Sequence, residues 1–231
     1  MNHPLNLRSL MVGRFTSQPG RLVLPDVRCD LIWIDERVLF CGPATHVRAS
    51  LAIGKTVTVA SFESLAVRQW LDIPIQQLTD QVIPLADLAP SLEDPLAEQF
   101  DAAANQVLLP RPHRPVGLPD PRLQLALSHL RFGWSVRDSA AAVCLSERHM
   151  ERLFLDGFRL SPRSYLQILR LRRAMCLARQ GASLARAAAS SGFADQAHFS
   201  RQAKELLGET PSRALRNVGN LQEVLSGTVA D

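Results

Sequence analysis

One short pattern occurs twice in the second half of this chain, and few folds can use a pattern twice in that way. Ser135-Val-Arg-Asp-Ser-Ala-Ala-Ala aligns with Ser183-Leu-Ala-Arg-Ala-Ala-Ala-Ser at an offset of 48, which sets Ala140 opposite Ala188 and Leu145 opposite Phe193. One added residue moves the offset to 49, where Met150 meets Phe199, Arg152 meets Arg201, and Ser161-Pro162 meets Thr210-Pro211. Each Ser/Thr-Pro pair follows a glycine-containing turn, at Gly157 or Gly208. Self-similarity at a fixed spacing marks one supersecondary unit used repeatedly.

Within each unit the spacing predicts a short helix, a tight turn and a second helix, with the turns at Val143-Cys144-Leu145 and Ser191-Gly192-Phe193. Small Ala140 and Ala188 let the paired helices pass closely. Leu145 and Phe193 plug the turns, and Met150, Leu153 and Phe199 supply the inner faces of the second helices. Ser146 and Asp195 are suited to accept hydrogen bonds from the first free amides of those helices. Between the units, Ser161-Pro162 opens a helix expected to run through Arg179 and stop near Gly181, because proline's missing N–H costs nothing in a first turn. About 18 residues at ~1.5 Å each make a rod near 27 Å long. With the width of the units at its ends, such a rod spaces two second helices by about one turn of duplex DNA, ~34 Å. Two αα-hairpins in a plain bundle would explain the same apolar spacing, so charge has to discriminate.

Residues 119–231 hold 16 Lys+Arg against 10 Asp+Glu, whereas residues 1–118 hold 10 against 12. All 16 of those cations lie between Arg122 and Arg216, where they face only seven acids. A local excess of that size points to a polyanionic partner; a solvated helix surface is the alternative. Only Lys55 and Lys204 are lysines, and arginine is the better ligand for phosphate and guanine. Arg170, Arg172 and Arg173 on the connecting helix read either as phosphate contacts or as solvation and packing of that helix.

The remaining composition is ordinary for a folded protein, with 46% apolar and 21% charged residues, which excludes global disorder and a collagen-like chain. No uncharged apolar run approaches the ~18 residues of a membrane-spanning helix, and the opening Met1–Phe15 has too short an apolar run for a secretory signal. The chain therefore reads as cytoplasmic, with no membrane partner. Cys29, Cys41, Cys144 and Cys176 form no CxxC pair or zinc ladder and read as reduced thiols, so no metal site is expected.

The first half has a different grammar. Runs of β-type residues at Arg21–Leu24, Cys29–Ile34, Val38–Cys41, Val47–Ile53 and Thr56–Phe62 are punctuated by Pro25-Asp26, Asp35-Glu36, Gly42-Pro43 and Gly54. Two helices are expected to follow, over Leu65–Leu71 and Pro95–Leu108, the second with Leu96, Phe100, Ala103, Ala104 and Val107 on one face. Five prolines within Pro110–Pro121 then forbid a continued helix and read as a linker. The expected fold class is α+β. A small β-rich domain with two helices covers 1–109, a linker 110–121, an all-α domain of two helix-turn-helix units joined by a long helix 122–217, and a tail 218–231.

The motifs LSERHMERLF, SPRSYLQILRLRRAMCLA, SGFADQAHFSRQAK and GETPSRAL carry a family resemblance. Residues about 120–217 resemble the DNA-binding domain of the AraC/XylS family of bacterial transcription regulators. The departures are Ser139 and Ala187 where the family has a larger aliphatic, Ala203 where Phe is usual, and Ala214-Leu215 where an aromatic-Arg pair closes the motif. The resemblance implies that the first recognition helix offers Arg148, Glu151 and Arg152 to base edges, and the second Gln196, His198, Ser200 and Arg201. The chemistry agrees: arginine pairs with guanine, glutamine with adenine, and glutamate accepts from cytosine. For each of these residues a phosphate-contacting or solvent-facing role is the competing reading.

The run RLVLPDVRCDLIWIDERVLFCGPATHV resembles the opening of a β-rich domain of unknown function that precedes the same repeat in some family members. Where such domains continue with Phe-x-Pro-Gly, this chain has Phe62-Glu63-Ser64-Leu65. The resemblance implies effector sensing or dimerisation for this half. Double-stranded DNA is the expected partner, and the family admits a small-molecule effector, RNA polymerase and a second copy of the chain besides. A module that sequesters a protein partner without touching DNA is the alternative function. Cys29 or Cys41 with His46 could form a thiol–imidazole pair, but no third orienting group accompanies them and no hydrolase, zincin or phosphate-loop motif occurs. No enzyme activity, catalytic residue or cofactor is expected.

Overall fold

A computed structural model describes residues 7–8, 11–16, 22–49, 54–67, 70–71, 73–102, 107–109 and 120–217. The chain opens with β1 (Leu7–Arg8), β2 (Met11–Thr16), β3 (Leu22–Val23), β4 (Arg28–Ile34), β5 (Arg37–Cys41), β6 (Arg48–Ala49) and β7 (Thr56–Glu63). There follow α1 (Ser64–Val67), α2 (Ile75–Leu78), β8 (Val82–Pro84), α3 (Leu85–Leu88), α4 (Pro90–Asp101) and β9 (Leu108–Leu109). The second half contains α5 (Pro121–Arg131), α6 (Val136–Ala142), α7 (Glu147–Phe158), α8 (Pro162–Arg179), α9 (Leu184–Ser190), α10 (Gln196–Leu207) and α11 (Pro211–Asn217). A β-sheet half followed by a helical half is the α+β arrangement expected.

The main sheet is antiparallel, in the order β2-β7-β4-β5-β8. Strands β4 and β5 form a hairpin closed by Asp35 and Glu36, both with positive φ (50° and 60°). That is the backbone of a two-residue turn whose twist matches paired strands. Alternation along β4 sends Cys29 and Leu31 into the main core with Phe40, Ala60 and Phe62, and Trp33 packs against it. Ile32 and Ile34 join Val57 and Val59 on the opposite face. Helix α4 covers the first face through buried Leu96 and Phe100, with Phe100 stacked on Trp33 at 6.1 Å. Gly42 is required by close approach, because a Cβ there would lie 1.7 Å from the Leu78 carbonyl oxygen.

Several local readings of this half need correction. The helix expected over Pro95–Leu108 starts at Pro90 and ends at Asp101; of its expected apolar face, Ala103 and Ala104 lie outside the described residues. Pro90 rather than Pro95 takes the favoured first-turn position, and Pro95 forgoes one bond near the start of the helix. Leu108 is a strand residue paired with Arg8, and the Gln99 amide both donates to its carbonyl (3.0 Å) and accepts from its N–H (2.7 Å). Strands β1, β2 and β8 and helices α2 and α3 escaped the sequence reading, and the helix expected over Leu65–Leu71 is seen as Ser64–Val67, with Leu71 outside it. Residues 50–53, 68–69, 110–119 and 218–231, on which parts of other expected elements fall, lie outside the described residues; Asp120 caps and Pro121 opens α5.

The helical half follows the repeat. Met150, Phe154, Phe158 and Tyr165 form the core of the first unit with Ala140, Val143 and Leu145. Phe199, Ala203 and Leu207 form that of the second with Ala187, Ala188 and Phe193. Helix α8 serves both, with Tyr165 in the first core and Leu171, Ala174 and Met175 in the second. Ser135, Ser146, Ser161, Ser183 and Asp195 each accept a backbone N–H at the start of their helices, a cap contributing about 1 kcal/mol. Gly157 is not in the turn expected of it. It lies inside α7 against Leu123 and Leu65, and the left-handed residue after that helix is Arg159 (φ 56°).

Candidate nucleic-acid interface

Helices α7 and α10 occupy equivalent places in the two units, each buried on one side through Met150 and Phe154 or Phe199 and Ala203. Burying that side leaves the other to solvent. On α7 the structure leaves Arg148, Glu151 and Arg152 exposed. On α10 Gln196 and Arg201 are exposed, while His198 and Ser200 are half-buried. Arg152 and Arg201, equivalent in the repeat, are thus presented alike on two equivalent helices.

His198 differs from its neighbours. Its ring meets Phe193 edge-on at 5.4 Å, and its Nδ1 accepts from the Ala194 N–H at 3.4 Å. These contacts hold the imidazole against the turn and occupy Nδ1. Its backbone N–H donates to the Asp195 cap at 2.6 Å.

A residue the sequence reading missed is Leu155, 46% exposed on α7. It lies three residues beyond Arg152 and seven beyond Arg148, which puts it on the same helical stripe. An apolar side chain there suits a thymine methyl group. The signal was available in the sequence, as a leucine on the charged rather than the apolar face.

The arginines of the connecting helix divide. Arg172 is drawn inward: its Nη1 lies 2.6 Å from Asp26 Oδ2 and donates to the Pro25 carbonyl at 3.4 Å. The Arg170 side chain packs over Gly192, where a Cβ would meet its Nε at 3.3 Å. Arg173 is exposed. For Arg170 and Arg172 packing is therefore the observed role. Arg131, at the end of α5, is also engaged, donating to both Glu63 oxygens at 2.6 and 2.7 Å and to Tyr165 Oη at 2.9 Å. Burial opposes its charge, but the Glu63 carboxylate and the Tyr165 hydroxyl together offset this and hold the guanidinium pKa above its ordinary value.

The thiol–imidazole pair is not assembled. Burial pushes the Cys41 thiol up to about 12 and Cys29 well above its ordinary value, so both remain protonated. His46 Nδ1 instead lies 3.1 Å from Thr45 Oγ1 and 3.5 Å from Asp80. Among the described residues no helix is long and apolar enough to cross a membrane, and no group of three His, Cys, Asp or Glu could hold a metal ion.

The comparisons with known proteins bear on this same region. The family described as "Helix-turn-helix domain" matches residues 139–217. An uncharacterized HTH-type transcriptional regulator of Escherichia coli K12, YidL, is 39% identical over 89 residues, or 38% of this chain; the match spans 30% of that relative's length. A solved AraC-type DNA-binding domain-containing transcriptional regulator from Chromobacterium violaceum is 31% identical, with 42% of this chain and 90% of that one covered and a TM-score of 0.40. ToxT from Vibrio cholerae O395 is 13% identical, with 92% and 96% covered and a TM-score of 0.45. From Ser139 onward, the duplicated helix-turn-helix units fall within the region that the family matches. The match places a helix-turn-helix domain at residues 139–217 of this chain.

Proposed function

We propose that this chain regulates transcription by placing α7 and α10 in successive major-groove segments of one duplex face. Arg148, Glu151 and Arg152 read one segment, and Gln196, His198, Ser200 and Arg201 the other. The observation that carries this reading is the matched exposure of Arg152 and Arg201 on helices whose opposite faces are buried. Arginine at such a position pairs with guanine O6 and N7, and the surrounding cations neutralise phosphate. The β-rich residues 1–109 serve as a sensing or pairing domain, joined through 110–121 to the reading domain 122–217.

Selection from random duplexes at two salt concentrations tests this. An enriched bipartite sequence whose affinity falls steeply with salt supports the regulator. Failure to enrich any sequence overturns it in favour of a module that sequesters a protein partner.

A further inference from the structure

The segment Leu24-Pro25-Asp26-Val27, which the sequence marks as the close of a β-run and as part of the resemblance of the β-rich half, lies where the two helix-turn-helix units meet. Leu24 is 1% exposed and belongs to the core of the second unit, with Leu171, Met175 and Phe199. Val27, three residues on, is 5% exposed and belongs to the core of the first, with Leu123, Phe158 and Tyr165. Between them Asp26 is paired with Arg172 of α8, both largely buried at 12% and 18% exposure.

The segment is itself held firmly. The Asp26 carbonyl accepts from Ala44 N–H at 2.7 Å, Asp26 Oδ1 accepts from Arg28 N–H at 3.2 Å, and the Ser64 hydroxyl donates to the Val27 carbonyl. A second tie reinforces the side toward the first unit, where Leu65 enters its core and Glu63 holds Arg131.

We propose that Leu24–Val27 is a positioning element for DNA recognition, a wedge that fixes the angle between the two reading helices. Helix α8 joins the units along one line, and a single helix can bend or twist about its axis. The wedge supplies contacts away from that line to both cores at once. Asp26 is accordingly a positioning residue that acts through Arg172, and the β-rich half is part of the reading apparatus. This inference rests on the two-helix reading proposed above.

The experiment uses the full chain and the bipartite duplex recovered by selection, in versions with one base pair inserted or deleted between half-sites. Each base pair rotates the second half-site by roughly 35° and shifts it ~3.4 Å. The unaltered chain is expected to favour one spacing by at least ~10-fold, on the scale of the ~1–3 kcal/mol lost per mismatched contact. Asp26→Asn, Leu24→Ala and Val27→Ala are expected to lower affinity for the preferred spacing while leaving single half-site affinity unchanged, so that the spacing preference shrinks to about 3-fold or less. Should the apolar variants fail to fold by thermal melting, Asp26→Asn and Glu63→Gln carry the test alone. An undiminished spacing preference in folded variants overturns the wedge. Absence of any selected sequence instead overturns the two-helix reading beneath it.

Discussion

Cys144 and Gly192 hold the same position in the two duplicated turns, and both are left-handed, with φ of 54° and 81°. The pairing recurs at the ends of the second helices, where Arg159 (φ 56°) stands opposite Gly208 (φ 74°). The second unit thus has glycine at both left-handed positions, and the first carries a side chain at both. A left-handed residue with a Cβ costs roughly 1–2 kcal/mol, partly offset on replacement by glycine's greater freedom in the unfolded chain. Cys144→Gly is expected to stabilise the protein by about 0.5–1 kcal/mol in urea titration. Gly192→Cys should cost at least ~1 kcal/mol, because Arg170 must also yield.

Ser139 is fully buried in α6, and its hydroxyl has no hydrogen-bond partner. The second unit has Ala187 at the equivalent position, also fully buried. An unsatisfied buried hydroxyl costs about 1–3 kcal/mol. Ser139→Ala is therefore expected to raise the melting temperature with no change in DNA affinity. A fall in melting temperature would show that the hydroxyl is satisfied.

Asp30 faces Ser61, Arg48, Arg172 and Asp26 beneath the sheet. Burial and then the Asp26 charge raise its pKa to about 6, against the pull of Ser61 and the two arginines. Since the folded state binds this proton more tightly than the unfolded chain, Asp30 lowers stability as pH rises through the window from about 4 to 6. Asp30→Asn should flatten that part of the pH–stability curve and stabilise the protein above pH 6 by roughly 3 kcal/mol. Denaturant midpoints at several pH values measure both effects.

Arg152 and Arg201 can be sorted by what each recognises. A guanine-reading arginine loses about 1–3 kcal/mol at the selected site on truncation to alanine and much less on random duplex. A phosphate-contacting one loses equally on both and lowers the salt slope by about 1. Arg152→Ala and Arg201→Ala are each expected to give the first pattern in fluorescence anisotropy titrations.

The repeat was legible because local chemistry specifies it: Ser146 and Asp195 cap, Ala140 and Ala188 permit close approach, and Met150 and Phe199 recur on buried faces. Strands β4, β5 and β7 were legible because each is a run of β-type residues bounded by turn residues such as Asp35-Glu36 and Gly42-Pro43. Helix α4 was misplaced because its end depends on Gln99 clasping Leu108, a contact nine residues away that no local propensity encodes.

The sequence by itself determined two helix-turn-helix units, their caps, their cationic character and the β-rich nature of what precedes them, since each follows from residues a few positions apart. Only the tertiary structure decided that Arg172 turns inward to Asp26, that Arg131 reaches Glu63, and that Leu24 and Val27 enter different cores. Those partners stand 146 and 68 residues apart for the two ion pairs, and a charge or an apolar side chain carries no mark of which distant group will desolvate it.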